Sequence, residues 1–163
     1  MNDRRPKYVV DTCSLTELRR RYPDDVFPGA WEAITDMADS GILISSTEVK
    51  LELEAQDDLV TDWARKHSFI FIPLLPPIQE KAIEILSTFT NLIDDKNLKS
   101  SADPFLIATA LIKGCTLVTE EIPSGKDAKL VKIPNVCATF GIPCINLLEL
   151  FRIEKVKLDI KRT

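Results

Sequence analysis

"ADPFLIATALIKGCTLVTEE", residues 102 to 121, holds a helix, a stop, a strand and a cluster of acids in twenty positions. Asp103 followed by Pro104 is a favourable helix opening, since proline lacks an N–H that the first turn could not use. "FLIATALIK" then supplies apolar residues at helical spacing, and Gly114 ends the run as a glycine C-cap would. "CTLVT" (115 to 119) is short, apolar and β-branched, which reads as a buried strand, and Glu120 and Glu121 follow it directly. A crossover helix runs antiparallel to the strand it feeds, so Asp103 at the start of the helix lies on the same edge of the sheet as the acids that end the strand. Asp103 itself has two readings, a helix cap or a ligand, and the motif alone does not separate them.

The same alternation extends outward in both directions. "KYVVD" (7 to 11) is a strand ending in Asp11, and "SLTELRRRYP" (14 to 23) reads as a helix opened by Ser14 and closed before Pro23. "PGAWEAITDMADSG" (28 to 41) is a helix stopped by Gly41, "ILIS" (42 to 45) a strand, and "STEVKLELEAQ" (46 to 56) a helix with a Ser/Thr start. "DLVTDWARKH" (58 to 67) continues helical, "FIFI" (69 to 72) reads as a strand, and a long amphipathic helix follows through "PIQEKAIEILSTFTNLI" (77 to 93). Residues 94 to 100 read as a loop. Beyond the "PSGKD" loop come a short helix at 134 to 141, a strand at 143 to 146, and a closing helix that starts at Leu147. Short apolar strands alternating with helices predict an α/β fold, a parallel sheet of about four to five strands covered on both faces. The whole chain, 1–163, is expected to form one domain, with 151–163 as the end of the closing helix and a tail. In that tail "KVKLDIKRT" alternates Val156, Leu158 and Ile160, the pattern of an added edge strand or a partner-docking segment.

Composition narrows the function classes. With 45% apolar and 28% charged residues over 163 positions, the chain can bury one core and is not a disordered segment. Its longest apolar runs are broken by proline and fall short of the roughly 20 residues a membrane span needs, and "MNDRRPKYVV" has no signal-peptide core, so a cytoplasmic protein without membrane contact is expected. A net charge of −4 argues against non-specific coating of nucleic acid. The four cysteines contain no C-x2-C pair and the one histidine, His67, lies in a helical segment, which leaves little basis for a structural zinc site.

Carboxylates collect at one edge of this sheet. Asp11 ends the first strand, Asp103 opens a helix on the same edge, and Glu120 or Glu121 ends the "CTLVT" strand. Glu48 and Glu52, one turn apart on the helix after "ILIS", supply a further candidate, and spacing alone does not choose within either glutamate pair. Acids gathered without a cation would raise one another's pKa values, so they make more sense as ligands of a hard cation than as scaffolding.

"YVVDTCSL" (8 to 15), "ILISSTEVKLEL" (42 to 53), "ADPFLIATALIKGCTLVTEE" (102 to 121) and "IPCINLLELF" (142 to 151) resemble, in order and over nearly the whole chain, the PIN-domain ribonucleases and the VapC-type toxins built on that fold. The resemblance implies a three-layer α/β/α fold and a Mg²⁺- or Mn²⁺-dependent endoribonuclease that hydrolyses RNA to 5′-phosphate and 3′-hydroxyl ends. Residue by residue it implies Asp11, Glu52, Asp103 and Glu121 as the catalytic acids, with Asp11, Asp103 and Glu121 on the metal and Thr12, Ser14 and Thr119 in support. Glu121 stands where the pattern usually has aspartate. The resemblance also implies a cognate antitoxin protein and a possible homodimer, in a divergent stand-alone branch. Arg19, Arg20 and Arg21 are candidate RNA contacts, although a run of charges on a helix end is commonly a solvated face.

Two other readings compete with this one. Cys13 and Arg19 fit the C-x5-R spacing of cysteine-dependent phosphatases, but Leu15, Glu17 and Leu18 between them read as helix rather than as a glycine-containing phosphate cradle. A PIN fold could also serve as a binding module without catalysis.

Overall fold

The computed structural model describes residues 5–56, 58–93, 102–160 and 162. Five strands, β1 (Tyr8–Val10), β2 (Leu43–Ser46), β3 (Phe71–Ile72), β4 (Thr116–Val118) and β5 (Cys144–Ile145), form one sheet in the order β3-β2-β1-β4-β5. Every pairing is parallel, with Val9 opposite Ile44 and Leu117, and Leu117 opposite Cys144. Among the described residues, eight α-helices connect and cover the strands: α1 (Thr12–Arg21), α2 (Pro28–Asp39), α3 (Thr47–Glu54), α4 (Leu59–Lys66), α5 (Pro76–Thr88), α6 (Asp103–Lys113), α7 (Ile133–Phe140) and α8 (Leu147–Ile153). On one side α1 packs with α3 and α4, and on the other α6 packs with α5 and α7. This is the three-layer arrangement with a parallel sheet that the alternating pattern predicts.

The central strands are buried on both faces, which is why they read as continuous apolar runs. Val9, Val10, Leu43 and Leu117 are fully buried beneath Leu53, Leu106, Ile107 and Val136 from the helices. Chain direction decides where a site can form. From β1 the chain moves to β2 and β3, whereas from β4 it moves the opposite way to β5. The segments leaving β1 and β4 therefore diverge, and a crevice opens between them at the carboxyl end of the sheet.

Several boundaries differ from the sequence pattern for physical reasons. Helix α1 begins at Thr12 rather than at Ser14, because Asp11 takes the extended cap conformation (φ −85°, ψ 156°). Ser68–Ile70 form a 3-10 turn that leaves β3 only two residues. Helix α5 stops at Thr88, five residues before the apolar pattern does; Ser87 and Thr88 donate back to the carbonyls of Ile83 and Glu84, which competes with helix continuation. The 94 to 100 loop lies outside the described residues. Among its described residues the tail adds no strand. After Lys155, at φ 56°, it folds back, with Val156 donating to the Phe151 carbonyl and Leu158 lying against Gly29.

Candidate active site

The crevice between β1 and β4 is lined by the acids that the motifs single out. Asp11 follows β1 and is 5% exposed. It holds the cap position of α1 without capping it; its Oδ2 instead accepts from Thr119 Oγ1 at 2.8 Å and from the Cys13 thiol at 2.9 Å. Its own amide continues the sheet by donating to the Val118 carbonyl at 2.9 Å, which fixes its height at the strand end. Burial pushes the carboxyl upward in pKa, the Cys13 and Thr119 bonds oppose that, and the Glu121 charge adds to it.

Asp103 answers the question its motif raises. Ala102, not Asp103, holds the cap position of α6, and no side-chain capping bond is present, so Asp103 sits one residue inside the helix. At 8% exposure its carboxyl is pushed up from 3.8 to about 9, first by burial and then by the charges of Asp11, Glu121 and Glu52, while Lys132 pulls it down. A buried carboxylate that repels three others and caps nothing costs stability in the metal-free protein. The positive ends of α1 and α6 offset part of that cost.

Glu52 projects from α3. Its Oε2 accepts from Thr12 Oγ1 at 2.5 Å, while Oε1 is buried and has no hydrogen-bond partner among the described residues. Its pKa is raised by burial and by the Asp11 charge, against the Thr12 bond and the Ala102 amide. Glu48, one turn earlier, enters only as a weaker charge on Glu52.

The two glutamates after β4 part company. Glu120 turns to α8, where its Oε1 accepts from the Leu147 amide at 2.8 Å and from Ser14 Oγ at 3.3 Å. It is therefore tied into the fold, not solvent-facing. Glu121 turns to α7, accepting from the Ile133 amide at 2.8 Å through Oε2 and lying 3.7 Å from Lys132 Nζ through Oε1. Of the two, Glu121 is the one whose charge acts on Asp11 and Asp103. The supporting hydroxyls divide the work: Thr12 holds Glu52, Thr119 holds Asp11 and Ser14 holds Glu120.

The donor set suits a hard divalent cation, since it is all oxygen, partly buried, mutually repelling and includes a buried oxygen with no partner among the described residues. Among the described residues, however, no three His, Cys, Asp or Glu side chains stand ready to hold an ion as they are arranged. Glu121, committed to α7 and Lys132, is the acid most visibly turned elsewhere.

Other candidates fall outside this group. Arg19 pairs with Asp58 at 3.3 Å, and Arg20 and Arg21 with Glu17; all three lie in the last turns of α1, roughly 12–15 Å along the helix from Asp11 by its rise per residue. The Cys13 thiol is pushed upward by burial and by Asp11, the opposite of what a phosphatase nucleophile requires. Arg19 does not share a cradle with it. His67 is structural, stacked on Trp63 at 4.5 Å with Nδ1 against the Trp63 carbonyl. Sequence reasoning missed Lys132 and the bonds of Cys13 to Asp11 and Thr119. The signal for Lys132 was its place before "IPN", since the start of a helix following β4 must return to the carboxyl edge.

Comparison with known proteins adds the following. No curated protein matches the chain. A solved chain from the crystal structure of VapBC2 from Rickettsia felis, bound to a DNA fragment from their promoter, is similar at 16% identity and a TM-score of 0.48, over 77% of this chain and 96% of that one. Among the described residues no helix is long and apolar enough to cross a membrane. The model of the family described as "Domain of unknown function (DUF4411)" matches residues 8–158, and the chain belongs to that family.

Proposed function

We propose that the protein is a Mg²⁺- or Mn²⁺-dependent ribonuclease that hydrolyses phosphodiester bonds in the crevice between β1 and β4. One observation carries this reading. Among the described residues, Asp103 is buried among Asp11, Glu52 and Glu121 and caps nothing, and Glu52 presents a buried oxygen without a partner. Such an arrangement is unfavourable until a cation is bound, and functional sites are where such strain is retained. Asp11 and Asp103 would be the principal ligands, with Glu52 and Glu121 completing the shell. Bound there, a divalent cation supplies charge neutralisation on the phosphate and lowers the pKa of an attacking water. The chain's own residues orient the site: Thr119 and Cys13 fix Asp11, and Thr12 fixes Glu52.

RNA as substrate, and a cognate antitoxin protein as partner, rest on the resemblance of the four motifs to PIN-domain toxins. The test is cleavage of a mixed RNA pool by purified protein in Mn²⁺ and in EDTA, with end-group analysis. Cleavage only with metal, leaving 5′-phosphate ends, is expected. Metal-independent cleavage, or none in any divalent ion, would overturn the reading.

A further inference from the structure

The acidic crevice already contains a cation of its own. Lys132 Nζ lies 3.7 Å from Glu121 Oε1, and its charge acts on Asp103 as well. Its backbone is anchored: the Lys132 amide donates to Asn135 Oδ1 at 3.3 Å, and the same oxygen accepts from the amide and the hydroxyl of Ser124, both at 2.9 Å. The side chain is not, being 46% exposed. An ion pair of this length and exposure is weak and readily exchanged. A divalent cation coordinated directly by a carboxylate binds it far more strongly than an ammonium at this separation. Glu121 is thus the acid placed to change partner, with the Ile133 amide holding its other oxygen at 2.8 Å.

We propose that Lys132 is the resting counter-ion of the crevice, and that its ammonium and a divalent cation compete for Glu121, so that Lys132 sets the metal affinity as a positioning residue. This rests on the metal-dependent reading above. Removing one positive charge a few ångströms from the ion should tighten Mn²⁺ binding roughly three- to tenfold at low salt. The gain should pass through Glu121 rather than through the field of the protein in general.

The test is Mn²⁺ titration followed by the electron paramagnetic resonance signal of the free ion, which needs no RNA cleavage. Wild type, Lys132→Met and Lys132→Arg are compared, each also carrying Glu121→Gln, with thermal unfolding recorded for all six. Expected are tighter binding in Lys132→Met, affinity within about twofold of wild type in Lys132→Arg because the charge is kept, and no gain from Lys132→Met once Glu121 is Gln. Equal or weaker binding in Lys132→Met beside a wild type that binds Mn²⁺ would overturn this inference alone, as would a gain that persists in the Glu121→Gln background. Failure of both wild type and Lys132→Met to take up Mn²⁺ would overturn it together with the proposed function.

Discussion

Replacing Asp103 by Asn separates a ligand from a structural carboxylate. Asn keeps the shape and cannot ionise. Burial and three neighbouring carboxylates push the Asp103 pKa from 3.8 to about 9 in the folded protein. A raised carboxyl pKa means that the folded form keeps a proton which the unfolded chain releases, so stability falls as pH rises from about 4 to about 9. At pH 7 the rise felt is about three units, an upper bound of about 4 kcal/mol, which relaxation of the crevice lowers to on the order of 1–3 kcal/mol. In EDTA at pH 7, Asp103→Asn should therefore be more stable than wild type by roughly 3–10 °C in Tm. Saturating Mn²⁺ should reverse the order, since a ligand at a hundred times its Kd adds about 2.7 kcal/mol to the protein that binds it, and the variant has lost a charged ligand. Thermal unfolding at pH 5, 7 and 9, with and without Mn²⁺, measures both signs. A variant less stable than wild type in EDTA would refute the reasoning, because Asp103 would then be holding α6 rather than waiting for a cation.

Further expectations are smaller and separable. Thr12→Val removes the 2.5 Å bond to Glu52 and should weaken Mn²⁺ binding by about 1–2 kcal/mol, roughly five- to thirtyfold, with Thr12→Ser restoring most of it; calorimetry with Mn²⁺ checks this. Cys13→Ser should leave RNA cleavage within a few-fold of wild type, since a hydroxyl can replace the thiol bond to Asp11, whereas a cysteine-dependent phosphatase would lose all activity. Gly114→Ala should cost about 1 kcal/mol in urea unfolding, entirely from the left-handed φ of 66°, because a Cβ there meets nothing within 4 Å. Arg20→Ala should change stability by less than about 0.5 kcal/mol, its ion pair with Glu17 being at 3.9 Å on the surface.

What was legible in the sequence follows from which signals are local. The strands are runs buried on both faces, and helix stops such as Gly114 are chemically explicit, so their order could be read directly. Asp11 and Asp103 could be placed together because a crossover helix must return to the carboxyl edge. Interactions set by tertiary packing could not. The long apolar pattern after Pro76 ran past Thr88 because periodicity does not register the back-bonding of Ser87 and Thr88. Glu120 and Glu121 are adjacent in sequence and reach different helices, and only the positions of the Leu147 and Ile133 amides separate them. Alternation at Val156, Leu158 and Ile160 imitated a strand where the chain simply folds back toward α2. Lys132 carried no motif; its importance comes from lying beside acids some distance away in the chain.

The central claim is that Asp11 and Asp103 are brought together to hold a divalent cation. Anomalous scattering from crystals grown with Mn²⁺ tests it directly. A peak is expected in the crevice between β1 and β4 at about 2.0–2.6 Å from carboxylate oxygens of both Asp11 and Asp103, with Glu52 oriented toward it. Well-ordered crystals with no peak there, or with Mn²⁺ held elsewhere while Asp103 stays unligated, would contradict it.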